Sequence, residues 1–305
     1  MKGKSMNISK IKRDFKKYKT LYFMLLPFAV LFFLFTVMSV VVSIGLGFTD
    51  YNMIEAPQFV GLSNYIRMLS DDDVLLIAVK NTLIFAVITG PISYFLCLIF
   101  AWMINEFPKY IRMLFTFVFY APSISSSIYV VWTYIFSSDS YGLANATLMN
   151  LGFIKEPILW LNDTEYILPI VILVQLWASL GTSFLSFIAG LQGVDKALYE
   201  AGAIDGVRNR FQELRYITLP SMGPQLMFAA VMQIGAAFSV SGICTALAGN
   251  PSVDYAAHTI VIHISDHAMA RYEMGYACAL STVLFLLMIF TNEFVAKFLR
   301  KHTNL

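Results

Sequence analysis

Charge is scarce in this sequence and, over long distances, missing. Of 305 residues only 13% are Asp, Glu, Lys or Arg, against about a quarter in ordinary soluble domains. Apolar residues make up 58%, and the mean hydropathy is +0.69. That balance excludes a soluble globular domain. Cysteine is scarce too. Cys97, Cys244 and Cys278 all lie in apolar stretches without metal-ligand spacing, so they read as small buried hydrophobes. No glycine-rich phosphate loop is present, which argues against nucleotide binding by this chain. No internal repeat or low-complexity linker divides it, so a single membrane domain at 21–305 is expected after a basic segment at 1–20. The net charge of +2 says little by its sum, and no nucleic-acid partner is expected.

What is present is length without charge. A membrane-crossing helix needs about 20 apolar residues. Six stretches qualify with no Lys, Arg, Asp or Glu: 21–49, 81–104, 113–138, 166–194, 222–249 and 274–292. The expected fold is an all-α integral membrane protein with six transmembrane helices. The first stretch is too long for a signal-peptide core and has no small-x-small cleavage site after it, so it reads as an uncleaved span. Lysine and arginine then set the orientation. The N-terminal segment holds eight, the second connection two, the fourth four and the C-terminus three, together seventeen of 21. Only Arg67, Lys80, Lys155 and Arg271 fall on the other side. Both termini and the 195–220 loop are therefore expected in the cytoplasm.

Smaller signals fit that frame. Ile8, Ile11, Phe15 and Tyr18 share one helical face among lysines, the pattern of a surface helix against anionic lipid. Asp71-Asp72-Asp73 and Asp163-Thr164 are expected to start helices.

The longest charged connection on the cytoplasmic side is 195–220. Asp195 is placed to cap a short helix over 196–204, Asp205-Gly206 reads as a turn, and Pro220 is expected to stop a second short helix. Phe211, Leu214 and Thr218 would share one face of that second helix. The residues Glu200, Ala201, Gly202, Asp205 and Gly206, followed by Ile217, Leu219 and Pro220, resemble the EAA loop of permease subunits from binding-protein-dependent ABC importers. Gly202 stands where the family pattern has a third alanine, and ten residues rather than nine separate Gly206 from Ile217, the extra one being expected in the turn at 207–210. Four further runs resemble the carbohydrate branch of the family: Phe48-Thr49-Asp50-Tyr51-Asn52, Phe59-Val60-Gly61-Leu62-Ser63-Asn64-Tyr65, Asn81-Thr82-Leu83 and Met274-Gly275-Tyr276-Ala277.

The resemblance implies a type I importer permease with a MetI-like core in its last five spans, in a bacterial plasma membrane. It implies a second homologous permease, an ABC ATPase dimer gripped through the EAA loop, an external sugar-binding protein, and a sugar, an oligosaccharide being the expected form. It implies no cofactor in this chain, since ATP and Mg²⁺ belong to the ATPase, and no catalytic residue.

A sugar needs hydroxyl partners. Gln175, Ser179, Ser183 and Ser186 fall on one stripe of the fourth span, and Gln233 lies in the fifth. The same residue types also bond neighbouring helices to each other. Ser123, Ser125, Ser126 and Ser127 follow Pro122, which fits a broken helix lining a cavity or, the preferred expectation, a kink whose freed carbonyls the hydroxyls satisfy. His263 and His267 are four apart, but no third ligand is placed. A polar surface or a contact with the binding protein is expected there, and no metal site. The competing function is a stand-alone secondary carrier. A proton-driven carrier needs an ionisable group in its spans, and none of the six has a carboxylate or a histidine.

Overall fold

The computed structural model describes residues 17–125 and 129–303. Among them the only extended pairing is an isolated bridge between Thr49 and Phe59; the rest is helix and loop. Five helices are long and apolar enough to cross a membrane: Lys19–Leu46, Asp73–Asn105, Thr164–Gly193, Gly223–Ala248 and Met274–Arg300. Lys109–Ile124 and Tyr129–Ile135, inclined at 84°, make a sixth when taken as one broken span. The expected six-span, all-α membrane architecture is the one observed.

The second, fourth and fifth spans form the packed centre. Toward one end, Cys97, Ala101, Phe184, Phe187, Leu226 and Ala229 close a buried cluster; toward the other, Phe85, Ile167, Val171, Val174, Ile243 and Cys244 close a second. Small residues set how near the helices come. Gly190 faces Met222 and Gln225, where a Cβ would lie 2.7 Å from Met222 Cε. The first span has no buried residue among those described, and its main contact with the bundle is through the sixth. Ser39, Ser43 and Ser281 lie in the groove between those two, the small-residue contact typical of membrane helices. Its apolar faces are otherwise exposed, as lipid contact requires.

Caps form where the sequence places them. Asp72 Oδ1 accepts from Leu75 N at 3.0 Å, Asp163 from Glu165 N at 2.9 Å, and Asp195 from Ala197 N at 3.0 Å. Charge-free length misjudges some ends. The second span begins at Asp73 because Lys80, which ends the uncharged stretch, sits on an exposed face of the same helix. The expected kink after Pro122 is instead a break. The helix ends at Ile124 and Ser125 is extended at φ −101° and ψ 109°, although Ser123 Oγ does donate to the Tyr120 carbonyl at 2.8 Å. Ser126 and Ser127, like Ile8, Ile11 and Phe15 of the lipid-facing segment, lie outside the described residues.

The spans alternate in direction. The proximal end of the bundle carries the 105–109 turn and the 195–221 loop; the distal end carries 47–72, 136–163 and 249–273. Ion pairs hold each end together across the sequence: Arg210 to Glu106 at 3.1 Å proximally, Arg67 to Glu273 at 3.0 Å distally.

Candidate functional site

The proximal loop is two short helices folded against each other. The first is Lys196–Ile204, and its end closes through Gly206 at φ +93°, with Val207 N–H donating to the Gly202 carbonyl at 2.9 Å. A side chain at that φ is strained. The second runs Arg210–Glu213, then a π turn over Leu214–Thr218, then Leu219–Ser221. Asn209 caps it, its side chain accepting from Gln212 N at 2.8 Å. The helix therefore passes Pro220 and ends at Met222, contrary to the expected stop. The π turn allows this: the wider turn moves the carbonyl four residues back, with which a proline ring would clash.

Glycine at 202 brings the two helices into contact. It is buried, and a Cβ there would lie 2.5 Å from Ile217 Cδ1. Tyr199 Oη and Thr218 Oγ1 meet at 2.9 Å and tie the same pair. Leu219 packs partly into the proximal core, and Phe211 lies against Trp102 of the second span, ring centres 5.2 Å apart. The loop is thus fixed to the bundle from within. Glu200, Ala201, Asp205, Gly206 and Pro220 remain exposed, with Ile204 87% and Phe211 72% accessible. Beside it opens a cavity of 420 Å³ lined by Trp102, Glu106, Arg112, Tyr199, Arg210 and Glu213.

Three spans are interrupted. The third breaks at Ser125, the fourth between Ala178 and Thr182, and the fifth between Phe238 and Gly242. The break in the fourth span interrupts the expected continuous stripe, because Gly181 N–H turns back to the Ser179 carbonyl at 2.8 Å. Gln175 and Ser179 stay half-buried. Ser183 is buried, its hydroxyl donating to the Ala229 carbonyl at 3.3 Å. Gln233 is buried too; its amide nitrogen reaches Cys97 Sγ at 3.3 Å and the Ser179 carbonyl at 3.4 Å. In this chain Ser183 and Gln233 bond helix to helix. Ser239, in the break of the fifth span, is exposed. A Cβ on Gly181 would touch Ser123 at 3.4 Å, so the breaks of the third and fourth spans adjoin.

The four short runs scattered along the sequence converge at one distal corner. Asn64 Nδ2 donates to the carbonyls of Gly47 and Thr49, at 3.0 and 2.8 Å. Gly275 N–H donates to the Tyr51 carbonyl at 2.8 Å, and a Cβ on Gly275 would run into the Thr49 carbonyl oxygen. Asn81 Nδ2 holds the carbonyls of Tyr255 and His258, and Thr82 Oγ1 accepts from Ile260 N at 2.9 Å. Tyr276 Oη donates to Asp72 Oδ2 at 2.6 Å. His263 and His267 belong to this corner and are each 1% exposed, so the expected polar surface is a buried cluster. Asp72 is the third potential ligand that sequence spacing does not place: His263 Nε2 lies 2.9 Å and His267 Nε2 3.9 Å from its Oδ2.

The charges there are arranged by burial and by pairing. Burial opposes ionisation of Glu273, but hydrogen bonds from Arg67 and His267 outweigh it and hold the carboxyl below its ordinary range. Asp72 is likewise disfavoured by burial and held low by Tyr276 and His263. Burial pushes His267 down, and burial with His263 beside it pushes His258 down to about 4.

This architecture is shared. Residues 93–302 match the family described as binding-protein-dependent transport system inner membrane component. The chain belongs to that family; it is a permease component of a transport system and not an enzyme. It is 32% identical over 269 residues to the probable ABC transporter permease protein YesP of Bacillus subtilis strain 168, covering 86% of this chain and 84% of the relative. It is 30% identical over 233 residues to the arabinooligosaccharides transport system permease protein AraP of the same organism, covering 76% and 73%. Its fold matches a chain of a bacterial ABC transporter involved in import of the acidic polysaccharide alginate, with a TM-score of 0.74 at 24% identity, covering 96% of this chain and 99% of that one. A chain of the bacterial alginate ABC transporter in complex with an alginate pentasaccharide-bound periplasmic protein gives 0.76 at 23%, covering 95% and 97%.

Proposed function

We propose that this chain forms half of the membrane pathway of an ATP-driven importer of sugars, oligosaccharides in particular, and grips its ATPase through the 195–220 loop. The observation that carries the second part is the loop's division of labour. Gly202, Ile217, Thr218 and Leu219 anchor it, while Glu200, Ile204, Gly206 and Phe211 face outward beside the 420 Å³ cavity. Exposed apolar side chains next to a carboxylate, on a polar end of the bundle, suit a protein partner. Lipid would meet the spans instead. The excess of basic residues at that end supports a cytoplasmic placement, with both termini on the same side.

For the pathway, the three breaks support a solute route. Unwound backbone at membrane depth is tolerated where it is buried in protein or lines an aqueous cavity. Gln175, Ser179 and Ser239 stand at or within a turn of those breaks; Gln175 and Ser239 carry both donors and acceptors, as a hydroxyl-rich solute requires, and Ser179, its hydroxyl donating to the Leu176 carbonyl at 2.6 Å, offers an acceptor. Ser183 and Gln233 act behind them, holding the fourth and fifth spans in register. The other half of the route belongs to a homologous permease, and an extracytoplasmic binding protein delivers the sugar. ATP and Mg²⁺ are used by the ATPase dimer, and no cofactor is assigned to this chain. The AraP relative and the fold shared with the alginate transporter support the oligosaccharide class.

The test is Gly206→Val and Glu200→Lys in the assembled transporter. Co-purification of the ATPase and its stimulation by sugar-loaded binding protein should fall at least tenfold for Gly206→Val (roughly 1.4 kcal/mol, within the range for backbone strain) and less for the exposed Glu200→Lys. Wild-type values of both in Gly206→Val would reduce the loop to a connector.

A further inference from the structure

The distal corner contains a set of side chains that the transport reading does not use. Asp72 stands at the head of the second span. His263 lies on the short helix Ile260–Ser265 and His267 on the π turn Asp266–Ala270, in the segment that leads into the sixth span. One ligand atom from each of the three lies within 4.8 Å of the others. The two imidazoles are each 1% exposed and the Asp72 side chain 10%.

Hydrogen bonding alone leaves this cluster unsatisfied. Asp72 Oδ2 already accepts from Tyr276 Oη at 2.6 Å and faces His263 Nε2 at 2.9 Å. His267 Nδ1 is engaged by Glu273 Oε2 at 2.7 Å. That contact needs the proton on Nδ1, which leaves Nε2 a bare lone pair. Nε2 has no hydrogen-bond partner and lies 3.9 Å from Asp72 Oδ2. A second proton on the ring would make an ion pair with Asp72 at 3.9 Å, but no hydrogen bond across that distance. His267 Nε2 is thus a buried acceptor beside a carboxylate oxygen, with nothing donated to it, an expensive arrangement.

The rest of the cluster is arranged as the outer shell of a metal site. A ligating histidine normally commits its other ring nitrogen to a carboxylate or another polar group, which fixes the tautomer and aims the free nitrogen. His267 Nδ1 is held by Glu273, and Glu273 is itself held by both terminal nitrogens of Arg67, at 3.1 and 3.0 Å. His263 Nδ1 meets His258 Nε2 at 3.2 Å. Asp72 Oδ1 is fixed by the helix cap at Leu75 N. His267 Nε2 is the atom left without a partner, and with His263 Nε2 it converges on one oxygen of the Asp72 carboxylate.

The geometry points to a transition-metal site of the zinc class, formed by Asp72 Oδ2, His263 Nε2 and His267 Nε2 with a fourth position open. Two imidazoles and one carboxylate are a zinc donor set, whereas calcium or magnesium would ask for oxygens throughout. Tetrahedral zinc separates neighbouring N and O donors by roughly 3.3 Å. The two observed separations from Asp72 Oδ2, 2.9 and 3.9 Å, lie on either side of that. The ion would lie between these three atoms and staple the head of the second span to the segment before the sixth. The site is independent of the proximal loop and of which solute is carried.

The test uses the assembled transporter, purified through a tag without histidines, stripped with a chelator, loaded with Zn²⁺ or Co²⁺ and desalted. Wild type should retain about one zinc per copy of this chain by elemental analysis, and its cobalt form should show the visible bands of a four-coordinate ion. Asp72→Asn keeps the helix cap, since asparagine caps as well as aspartate, yet should lose stoichiometric metal, as should His267→Ala. Glu273→Gln touches no metal and should weaken binding by about 10–100-fold. Circular dichroism and elution volume identify any variant that fails to fold, and Glu273→Gln then decides the matter. Wild type retaining less than about a tenth of an equivalent, or equal retention in folded Asp72→Asn and His267→Ala, overturns the site.

Discussion

Gly202 and Ile217, fifteen residues apart in the proximal loop, are in direct contact: a Cβ on Gly202 would lie 2.5 Å from Ile217 Cδ1. Two positions of one sequence motif are thereby a single packing unit. The obstructing atom is the tip of a flexible side chain, so the contact can yield to a methyl group.

Gly202→Ala should therefore be nearly neutral. Alanine in a helix gains roughly 0.5–1 kcal/mol over glycine, and the Ile217 rotamer shift costs a similar amount. Gly202→Leu cannot be absorbed, and overpacking of about 1–3 kcal/mol should separate the two short helices. The readout is ATPase activity stimulated by loaded binding protein. It should change less than about twofold for alanine (under 0.5 kcal/mol) and fall at least tenfold for leucine. Equal loss in both would mean that position 202 acts by something other than size.

The two glutamines should part company. Gln233 is buried against Cys97 and the Ser179 carbonyl, so Gln233→Leu should lower the thermal midpoint of the complex, through loss of an interhelical bond worth about 0.6–1.7 kcal/mol. Gln175 is half-buried beside the break, so Gln175→Leu should leave assembly and basal ATPase activity intact and reduce uptake. The reverse pattern, destabilisation by Gln175→Leu alone, would make Gln175 the strut.

How much of this was legible in the sequence follows from the range of each interaction. Span number and the caps at Asp72, Asp163 and Asp195 depend on neighbours within a few residues, and the sequence carries them. The turn at Gly206 is local as well. The break at Ser179 was not legible, because a side chain from a neighbouring helix meets it. Gln233 reaches the Ser179 carbonyl from 54 residues away. The His263–Asp72 contact spans 191 residues, so i, i+4 spacing found half of that cluster and missed its third member. Pro220 misled for a local reason: a π turn over the preceding residues, invisible in composition, carries the helix past it.

Orientation can be checked by labelling. The described natural cysteines Cys97, Cys244 and Cys278 are all buried, so an introduced cysteine reports without background. With an impermeant thiol reagent on intact cells, Asp163→Cys should label and Asn209→Cys should not. Labelling of Asn209→Cys with protection of Asp163→Cys would invert the topology.

The most direct test of the coupling account is a cross-link from the most exposed apolar side chain on the loop. Ile204 is 87% accessible and its side chain is not needed to hold the two short helices together. Ile204→Cys in the assembled transporter, treated with a short bifunctional thiol reagent and scanned against single cysteines on the ATPase surface, should give an adduct of this chain with the ATPase. Its yield should change when ATP and loaded binding protein are added. An intact, active complex in which Ile204→Cys reacts with small reagents but forms no adduct with any ATPase position would contradict docking through this loop.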